Sequence, residues 1–193
     1  MAFWKDGSAA PKRNYRYLVR MNAGKDNAVQ VAWWTKTVNT PSYEVSEVEH
    51  NFLDNKYYYP GRVSWSEITL TLVDPAEGEG GIDVVRDTLS ILAASGYHVK
   101  NQGEQNPFVS KADATSAGLT ALEISVLDSN GNTLEKWTLN NPFIKSAKYG
   151  DLDYSNDDLR TIEMTIRYDW ATCEVAGETF NAKGQTAPTG PNV

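Results

Sequence analysis

Two histidines, His50 and His98, are the side chains of this sequence best suited to proton transfer near neutral pH. Neither has the HExxH spacing that places two zinc ligands on one helical face, and no GxSxG segment presents a nucleophilic serine. A Ser-His-Asp arrangement assembled from distant segments stays open on composition alone. Polar surface positions are the simpler interpretation of both histidines, so the sequence predicts a protein that is not an enzyme.

A glycine-rich segment, GEGG at residues 78–81, precedes a helical pattern, which is where a phosphate-binding loop would stand. It lacks both GxGxxG and the GK[ST] ending, and Glu79 would repel phosphate. The segment therefore predicts a flexible helix entry and no nucleotide cofactor.

An acidic segment, DLDYSNDD at residues 151–158, begins like a calcium-binding loop. An EF-hand loop needs glycine at its sixth position and glutamate at its twelfth, where this chain has Asn156 and Ile162. A turn in which Asp and Asn side chains bond the nearby backbone explains the segment more simply. We therefore predict no metal site.

Charge and cysteine content narrow the class of protein further. The net charge of −7 argues against a protein that grips nucleic acid by its phosphates, whereas a surface that lets nucleic acid pass without binding suits it. Cys173 is the single cysteine, so an internal disulfide is excluded. The first residues lack the apolar run of a signal peptide, and no run of 18 apolar residues occurs, so we expect folding in a reducing cytoplasm without a membrane anchor.

Alternating apolar residues predict a mainly β protein with seven or eight strands. The clearest strand runs from Thr161 to Trp170, where every even position is apolar. Between Val63 and Val73 the apolar parity changes, which predicts a bend near Glu67 where a strand crosses between sheets. Asn130-Gly131 lies between two alternating runs and predicts a hairpin.

A single helix is predicted from the apolar stripe Ile82, Val85, Leu89, Leu92 and Ala93, with Gly96 as its stop. Residues 100–118 are polar without a period and predict a long loop. We expect one domain over residues 1–193, with an N-terminal arm at 1–13 and a flexible, irregular C-terminal arm at 177–193. The fold class is two packed antiparallel sheets, a β-sandwich or partial barrel, with one flanking helix.

Adjacent aromatic residues are the remaining anomaly. Trp33 and Trp34 must face opposite sides of a strand, and Tyr57, Tyr58 and Tyr59 follow a polar stretch. Outward aromatic side chains indicate burial by another subunit. They could instead be stacking platforms of a carbohydrate-binding sandwich, and sequence alone leaves both interpretations open.

The C-terminal third resembles a known family. Residues 137–158 read WTLNNPFIKSAKYGDLDYSNDD, and the following strand ends in YDWA. A Trp-x-Leu strand, a bend with Asn and an aromatic residue, a Gly-Asp-Leu-Asp-Tyr-Ser turn and a terminal aromatic-Asp-aromatic strand are typical of the tail tube proteins of contractile-tailed bacteriophages. The similarity extends over roughly residues 14–175 and is specific at 137–171. The family turn corresponds to Gly150, Asp151, Leu152, Asp153 and Tyr154.

The resemblance implies a structural virion protein whose six-membered rings close into a β-barrel and stack as the inner tail tube, the conduit for DNA. Expected partners are further copies, the tail sheath, baseplate and tail terminator proteins, and genomic DNA that passes without specific binding. The expected location is the phage tail, assembled in the host cytoplasm. An injection-system tube (bacteriocin or type VI secretion) or a tube-initiating protein is the alternative.

Two sets of site residues are expected, one facing the lumen of the ring and one at contacts between subunits or rings. The polar positions flanking the tyrosine segment are candidates for the lumen: Glu44, Ser46, Ser64 and Ser66. The aromatic positions are candidates for contacts between subunits or rings: Tyr57, Tyr58, Tyr59, Trp33 and Trp34.

Overall fold

The computed structural model describes residues 11–23, 27–29, 35–75, 83–97, 108–155, 157–175 and 178–181. Within these ranges the chain is mainly β, with a few short helical segments. The strands are β1 (Tyr17–Ala23), β2 (Asn27–Val29), β3 (Thr35–Val38), β4 (Tyr43–Phe52), β5 (Asn55–Trp65), β6 (Ile68–Val73), β7 (Leu119–Leu127), β8 (Thr133–Asn140), β9 (Phe143–Lys148), β10 (Thr161–Arg167), β11 (Trp170–Val175) and β12 (Glu178–Asn181). The helices are α1 (Val84–Ala94) and α2 (Lys111–Asp113), the latter followed by a π-helical turn (Ala114–Gly118).

Three antiparallel sheets are formed by the described strands. The larger two have the orders β12-β11-β8-β7-β1-β2 and β3-β6-β10-β9, and β4 pairs with β5 in a separate ribbon. The predicted hairpin at Asn130-Gly131 joins β7 to β8, where the Asp128 carboxylate accepts hydrogen bonds from the backbone N–H groups of Asn130 and Asn132 at 2.7 and 2.8 Å.

The core lies between the six-stranded and four-stranded sheets. In β10 the predicted alternation is confirmed, because Ile162, Met164 and Ile166 are fully buried and pair with buried residues of β6. They pack in one cluster with residues from the facing sheet, among them Val19, Leu122, Ile124 and Leu139. Each such side chain stabilises the fold by roughly 1.5–3 kcal/mol.

The end of the β10 prediction is wrong. Trp170 does not continue that strand on its buried face; β10 ends at Arg167, and Trp170 opens β11 in the other sheet with 44% of its surface exposed. The predicted bend near Glu67 is confirmed, since β5 stops at Trp65 and β6 begins in a different sheet at Ile68. The Glu67 carboxylate lies 2.6 Å from the Lys145 ammonium and 3.7 Å from the Arg167 guanidinium.

The helix lies where the apolar stripe predicts it, but of that stripe Val85 packs against the core and the buried face is otherwise a different one. Val84, Thr88 and Ile91 face the core, whereas Leu89 and Leu92 are exposed. The polar Thr88 interrupts this face in the sequence pattern, between the apolar residues Val84 and Ile91. The Thr88 hydroxyl donates to the Val85 carbonyl at 2.9 Å, and this hydrogen bond offsets the cost of burying the hydroxyl.

Two irregular segments predicted from composition contain regular structure. The second half of the expected loop at 100–118 forms α2 and the π-helical turn, while 98–107 lie outside the described residues. The expected C-terminal arm contains β12, which pairs with β11 from Val175↔Glu178 to Thr172↔Asn181. The predicted stop of α1 is confirmed, because Gly96 has φ +100°.

Candidate assembly surface

The ribbon of β4 and β5, here called the hairpin, stands apart from the rest of the described structure. Its strands have 10 and 11 residues and pair only with each other in the described sheets. Every residue from Tyr43 to Ser64 is exposed, so neither face packs on this chain's core. An isolated two-stranded ribbon is marginally stable in water, since it has no other surface against which to bury its apolar side chains. The hairpin is therefore the strongest candidate for a surface that other chains cover.

An aromatic cluster holds the hairpin at its root. The rings of Tyr43 and Trp65 meet edge to face with centroids 5.5 Å apart, and Trp65 lies 5.9 Å from Tyr168 of the core. Burial raises the pKa of the Tyr168 hydroxyl. The Ser66 N–H donates to the Ser42 carbonyl at 2.9 Å and closes the root. These contacts fix the direction in which the hairpin leaves the body.

A β-bulge divides the hairpin into a base and a tip. The pairs Val45↔Val63 and Glu47↔Pro60 are two residues apart on β4 but three apart on β5. Opposite the extra residue, the Ser46 hydroxyl oxygen accepts a hydrogen bond from the Arg62 N–H at 2.8 Å. A Cβ at Gly61 would lie 2.4 Å from that oxygen, so a side chain there would displace the Ser46 hydroxyl from this hydrogen bond.

The bulge coincides with a change of polarity between the two faces. Paired residues share a face, and alternate residues of one strand do too. In the base, one face is apolar, whereas the other has Glu44 opposite Ser64. In the tip, the face that continues from Glu44 is apolar. On the opposite face the Glu49 carboxylate forms an ion pair with the Lys56 ammonium, 3.0 Å away. We call the two apolar areas the base patch (Tyr43, Val45, Val63) and the tip patch (Val48, His50, Phe52, Tyr57, Tyr59).

Three of the four predicted lumen residues lie on one face of the hairpin. Glu44 and Ser64 form one cross-strand pair, and Ser46 lies on the same face of β4 at the bulge. Ser66 does not belong with them, because it lies beyond β5 at the root and is half-buried. The polar face of the base thus contains three of the four candidates.

The predicted aromatic contact residues are also divided. Tyr57 and Tyr59 share the tip patch, whereas Tyr58 pairs with Glu49 on the other face. Trp33 and Trp34 lie outside the described residues. Sequence reasoning did not single out Val48 and Phe52, and it considered His50 only for proton transfer. The change of apolar parity between Val45 and Val48 is the signal that could have found them.

The family turn lies at the start of the β9–β10 connection. Gly150 has φ +70°, and a Cβ there would lie 2.9 Å from the Thr161 carbonyl oxygen. The Asp153 carboxylate accepts hydrogen bonds from the backbone N–H and hydroxyl of Ser155, which lower the pKa of Asp153. Leu152 and Tyr154 project into solvent. The turn is thus held by local hydrogen bonds, as expected for Asp in turns.

Gly150→Ala should lower the free energy of unfolding by about 1–3 kcal/mol, because the left-handed backbone and the carbonyl contact both oppose a Cβ. Gly131→Ala is the matched control, since Gly131 has φ +85° and no atom lies within 4 Å of the position that its Cβ would take. Gly131→Ala should lower the free energy of unfolding by about 1 kcal/mol, because only the left-handed backbone opposes its Cβ. Urea unfolding measures both, and equal losses would show that the carbonyl contact is unimportant.

Two further residues of the motif region 137–171, Asn141 and Asp169, belong to a cluster of polar side chains that we call the polar clamp. The Lys111 ammonium donates to both carboxylate oxygens of Asp169, at 2.9 and 2.7 Å, and the Asn141 amide donates to the same carboxylate at 2.9 Å. Asn141 has φ +53° in the bend between β8 and β9. The clamp therefore ties α2 to the β8–β9 and β10–β11 bends. Sequence reasoning did not single out Lys111.

Asp169→Asn should destabilise the protein by about 1 kcal/mol at pH 7, since charge-assisted bonds at a partly exposed site are weakened by solvent. The hydrogen bonds from Lys111 and Asn141 lower the pKa of Asp169. A carboxyl group whose pKa is lower in the folded than in the unfolded state stabilises the protein at pH values above its ordinary pKa, which is about 3.9. This stabilisation is lost as the pH falls through the pKa of the folded state. Thermal unfolding at pH 7 and at about pH 2.5 checks this. A difference between wild type and variant that persists undiminished at the acidic pH would contradict the assignment.

The chemical candidates show no assembled site in the described part of the chain. His50 lies in the tip patch, and His98 and residues 78–81 are outside the described ranges. Among the described residues, no group of three His, Cys, Asp or Glu side chains is placed to hold a metal ion. No helix in those ranges is long and apolar enough to cross a membrane.

Comparison with solved structures shows what this arrangement is similar to. A chain of the six-fold symmetrised baseplate of the anti-feeding prophage superimposes with a TM-score of 0.63 at 13% identity, covering 86% of this chain and 97% of its own. A chain of the sheath-tube complex of PVC, an extracellular contractile injection system, gives 0.56 at 19% identity and covers 91% and 99%. A chain of the sheath/tube terminator structure of the same system gives 0.57 at 20% identity and covers 86% and 98%.

The chain shares its fold with components of contractile injection systems. This match, over nearly the full length of those components, confirms at the level of the fold the resemblance to contractile tail tube proteins. No protein-family model matches the sequence, and no curated protein matches it either. The likeness to these proteins is therefore one of fold.

Proposed function

We propose that this chain is a structural subunit that assembles with copies of itself into rings, which stack as the inner tube of a contractile tail. The observation that carries the proposal is the hairpin, whose two faces are exposed along its length and bear apolar side chains such as Val45, Phe52 and Tyr59. Removing such side chains from water is favourable, and on this hairpin it requires another chain to cover them. The shared fold with components of a sheath-tube complex supports the same conclusion.

A closed ring would also satisfy the borders of the sheets. In the described structure β12 and β2 border one sheet and β3 and β9 the other. Strand borders present unpaired N–H and C=O groups, and a heterologous contact that closes can pair or cover all of them. We propose six copies per ring, closing into a β-barrel, in line with the six-fold symmetrised baseplate that contains a chain of this fold.

The polar face of the hairpin base is the proposed wall of the lumen. Glu44, Ser46 and Ser64 share that face, and the chain has a net charge of −7. An acidic, hydroxyl-rich wall repels phosphate and releases no counterions, so DNA would pass without binding. We accordingly propose genome ejection from a phage tail, with the sheath, baseplate and terminator as partners, in a particle assembled in the host cytoplasm.

A tube or terminator of an extracellular injection particle is the alternative that the comparisons favour, since the matched PVC chains come from such a system. The fold is common to these cases. Their difference lies in the assembly: a tube protein stacks its rings without limit, whereas a terminating protein stops at one ring.

Negative-stain electron microscopy of the purified chain tests the proposal. Hollow rods support a tube subunit, and isolated annuli support a terminating or initiating ring. Monomers at high protein concentration would contradict the proposal. Monomers that bind glycans through Tyr57 and Tyr59 would support a carbohydrate-binding sandwich in its place.

A further inference from the structure

The two apolar patches of the hairpin lie on different faces and at different heights. From Val45, in the base patch, to His50, in the tip patch, the strand advances roughly 17 Å at about 3.3 Å per residue. The bulge at Ser46 separates them, and each patch is flanked on its reverse side by polar side chains such as Glu44 and Glu49. A neighbour that packs against one patch therefore meets mainly polar side chains if it continues along the same face, with Tyr58 and Pro60 as the apolar exceptions in the tip.

The size of each patch is small for one stable contact. Its side chains are about half exposed, which leaves roughly 300–500 Å² of surface in each patch. A stable interface needs about 800 Å² per partner. Neither patch alone reaches this value, whereas both together approach it.

We propose that the base patch and the tip patch are covered by two different copies of this chain, so that each hairpin links three subunits. This inference rests on the proposed function, which supplies the copies. Because each contact alone is weak, assembly requires both and proceeds cooperatively. The bulge is then a specificity device, since it directs apolar side chains to one side in the base and to the other in the tip.

A diluted double cross-linking experiment counts the neighbours directly. Cys173→Ser removes the native thiol, and Tyr59→Cys with Val63→Cys places one thiol in each patch for a photoactivatable maleimide. One labelled copy is then mixed with a large excess of unmodified chain, assembled, irradiated and separated by size. We expect a labelled product of three chains, and two-chain products from either single-cysteine control.

The outcomes separate this inference from the proposed function. If the unmodified protein does not assemble, both fail. If it assembles but the doubly labelled copy gives only two-chain products, one neighbour covers both patches and this inference is overturned. Absence of any product from an assembled sample would show that the hairpin is not an interface.

Patch variants give an independent readout in the unlabelled chain. Tyr57→Ser with Tyr59→Ser empties the tip patch, and Val45→Thr with Val63→Thr weakens the base patch. Each pair should raise the protein concentration at which assembly begins by roughly tenfold or more, because apolar burial is lost at one contact. Glu49→Gln on the polar face of the tip is the matched control and should leave that concentration unchanged. Assembly of either double variant at the wild-type concentration would contradict the proposal.

Discussion

Replacing residues 46–62 by Asn-Gly should abolish assembly and leave a folded, monomeric protein. The removed side chains are all exposed and contribute nothing to the core between the two larger sheets. Val45 and Val63 oppose each other, so a two-residue turn of the type favoured by Asn-Gly can join them. Sedimentation velocity measures the assembly, and thermal unfolding measures the fold.

The matched control shortens a different hairpin in the same way. Leu127 and Thr133 oppose each other across the β7–β8 connection, so residues 128–132 can also be replaced by Asn-Gly. This variant should assemble like the wild type. If the shortened β4–β5 chain still assembles, the hairpin is not the interface, and if it fails to fold, the hairpin contributes to the core in a way that its exposure does not show.

Ile166→Asp should prevent folding altogether. Ile166 is fully buried in β10, where it pairs with Ile68 of β6 on one side and Ile144 of β9 on the other. A carboxylate there loses its hydration without gaining a partner, at a cost of several kcal/mol, comparable to the whole stability of many domains. Circular dichroism and solubility of the expressed chain provide the measurement.

Two further variants keep this prediction falsifiable when the first one aggregates. Ser146→Asp places the same charge at an exposed position of the neighbouring strand and should fold normally. Ile166→Val should fold and lose about 0.5–1.5 kcal/mol of unfolding free energy. A soluble, assembling Ile166→Asp protein would show that this face of β10 is not the core.

The core strands were predictable from the sequence because their environment is simple. Ile162, Met164 and Ile166 alternate with polar residues, and the structure buries every one of them. The bend at Glu67 was predictable for the same reason, since a strand that changes sheets must change the parity of its buried side. Local alternation therefore located the central strands of the four-stranded sheet without any tertiary information.

The helix face was not predictable in this way. Thr88 is buried because its hydroxyl bonds to the Val85 carbonyl and lies 3.3 Å from the Tyr149 hydroxyl, which is 61 residues away in the chain. Burial of a polar side chain depends on a partner that only the folded structure brings near. Asp169, which is not buried, likewise has a partner that only the folded structure brings near, because Lys111 lies in a segment that has no period in the sequence.

The hairpin required a different kind of information. The apolar positions of β4 change parity at the bulge, so a single apolar face cannot be traced along the hairpin. The register shift opposite Ser46 reveals that His50 and Phe52 belong with Tyr57 and Tyr59. The residues of such an assembly surface are brought together by the pairing of two strands, and the sequence of either strand alone does not show this pairing.

The rate of hydrogen exchange of the hairpin amides measures whether neighbouring copies cover the hairpin. In protein diluted below its assembly concentration, amides of residues 43–65 should exchange quickly, because the ribbon is held only by its own pairing and the aromatic root. In the assembled sample their exchange should slow by roughly tenfold or more, while β10 amides stay protected in both. Hairpin amides that exchange equally fast in assembled and dissociated protein would show that no neighbouring copy covers them.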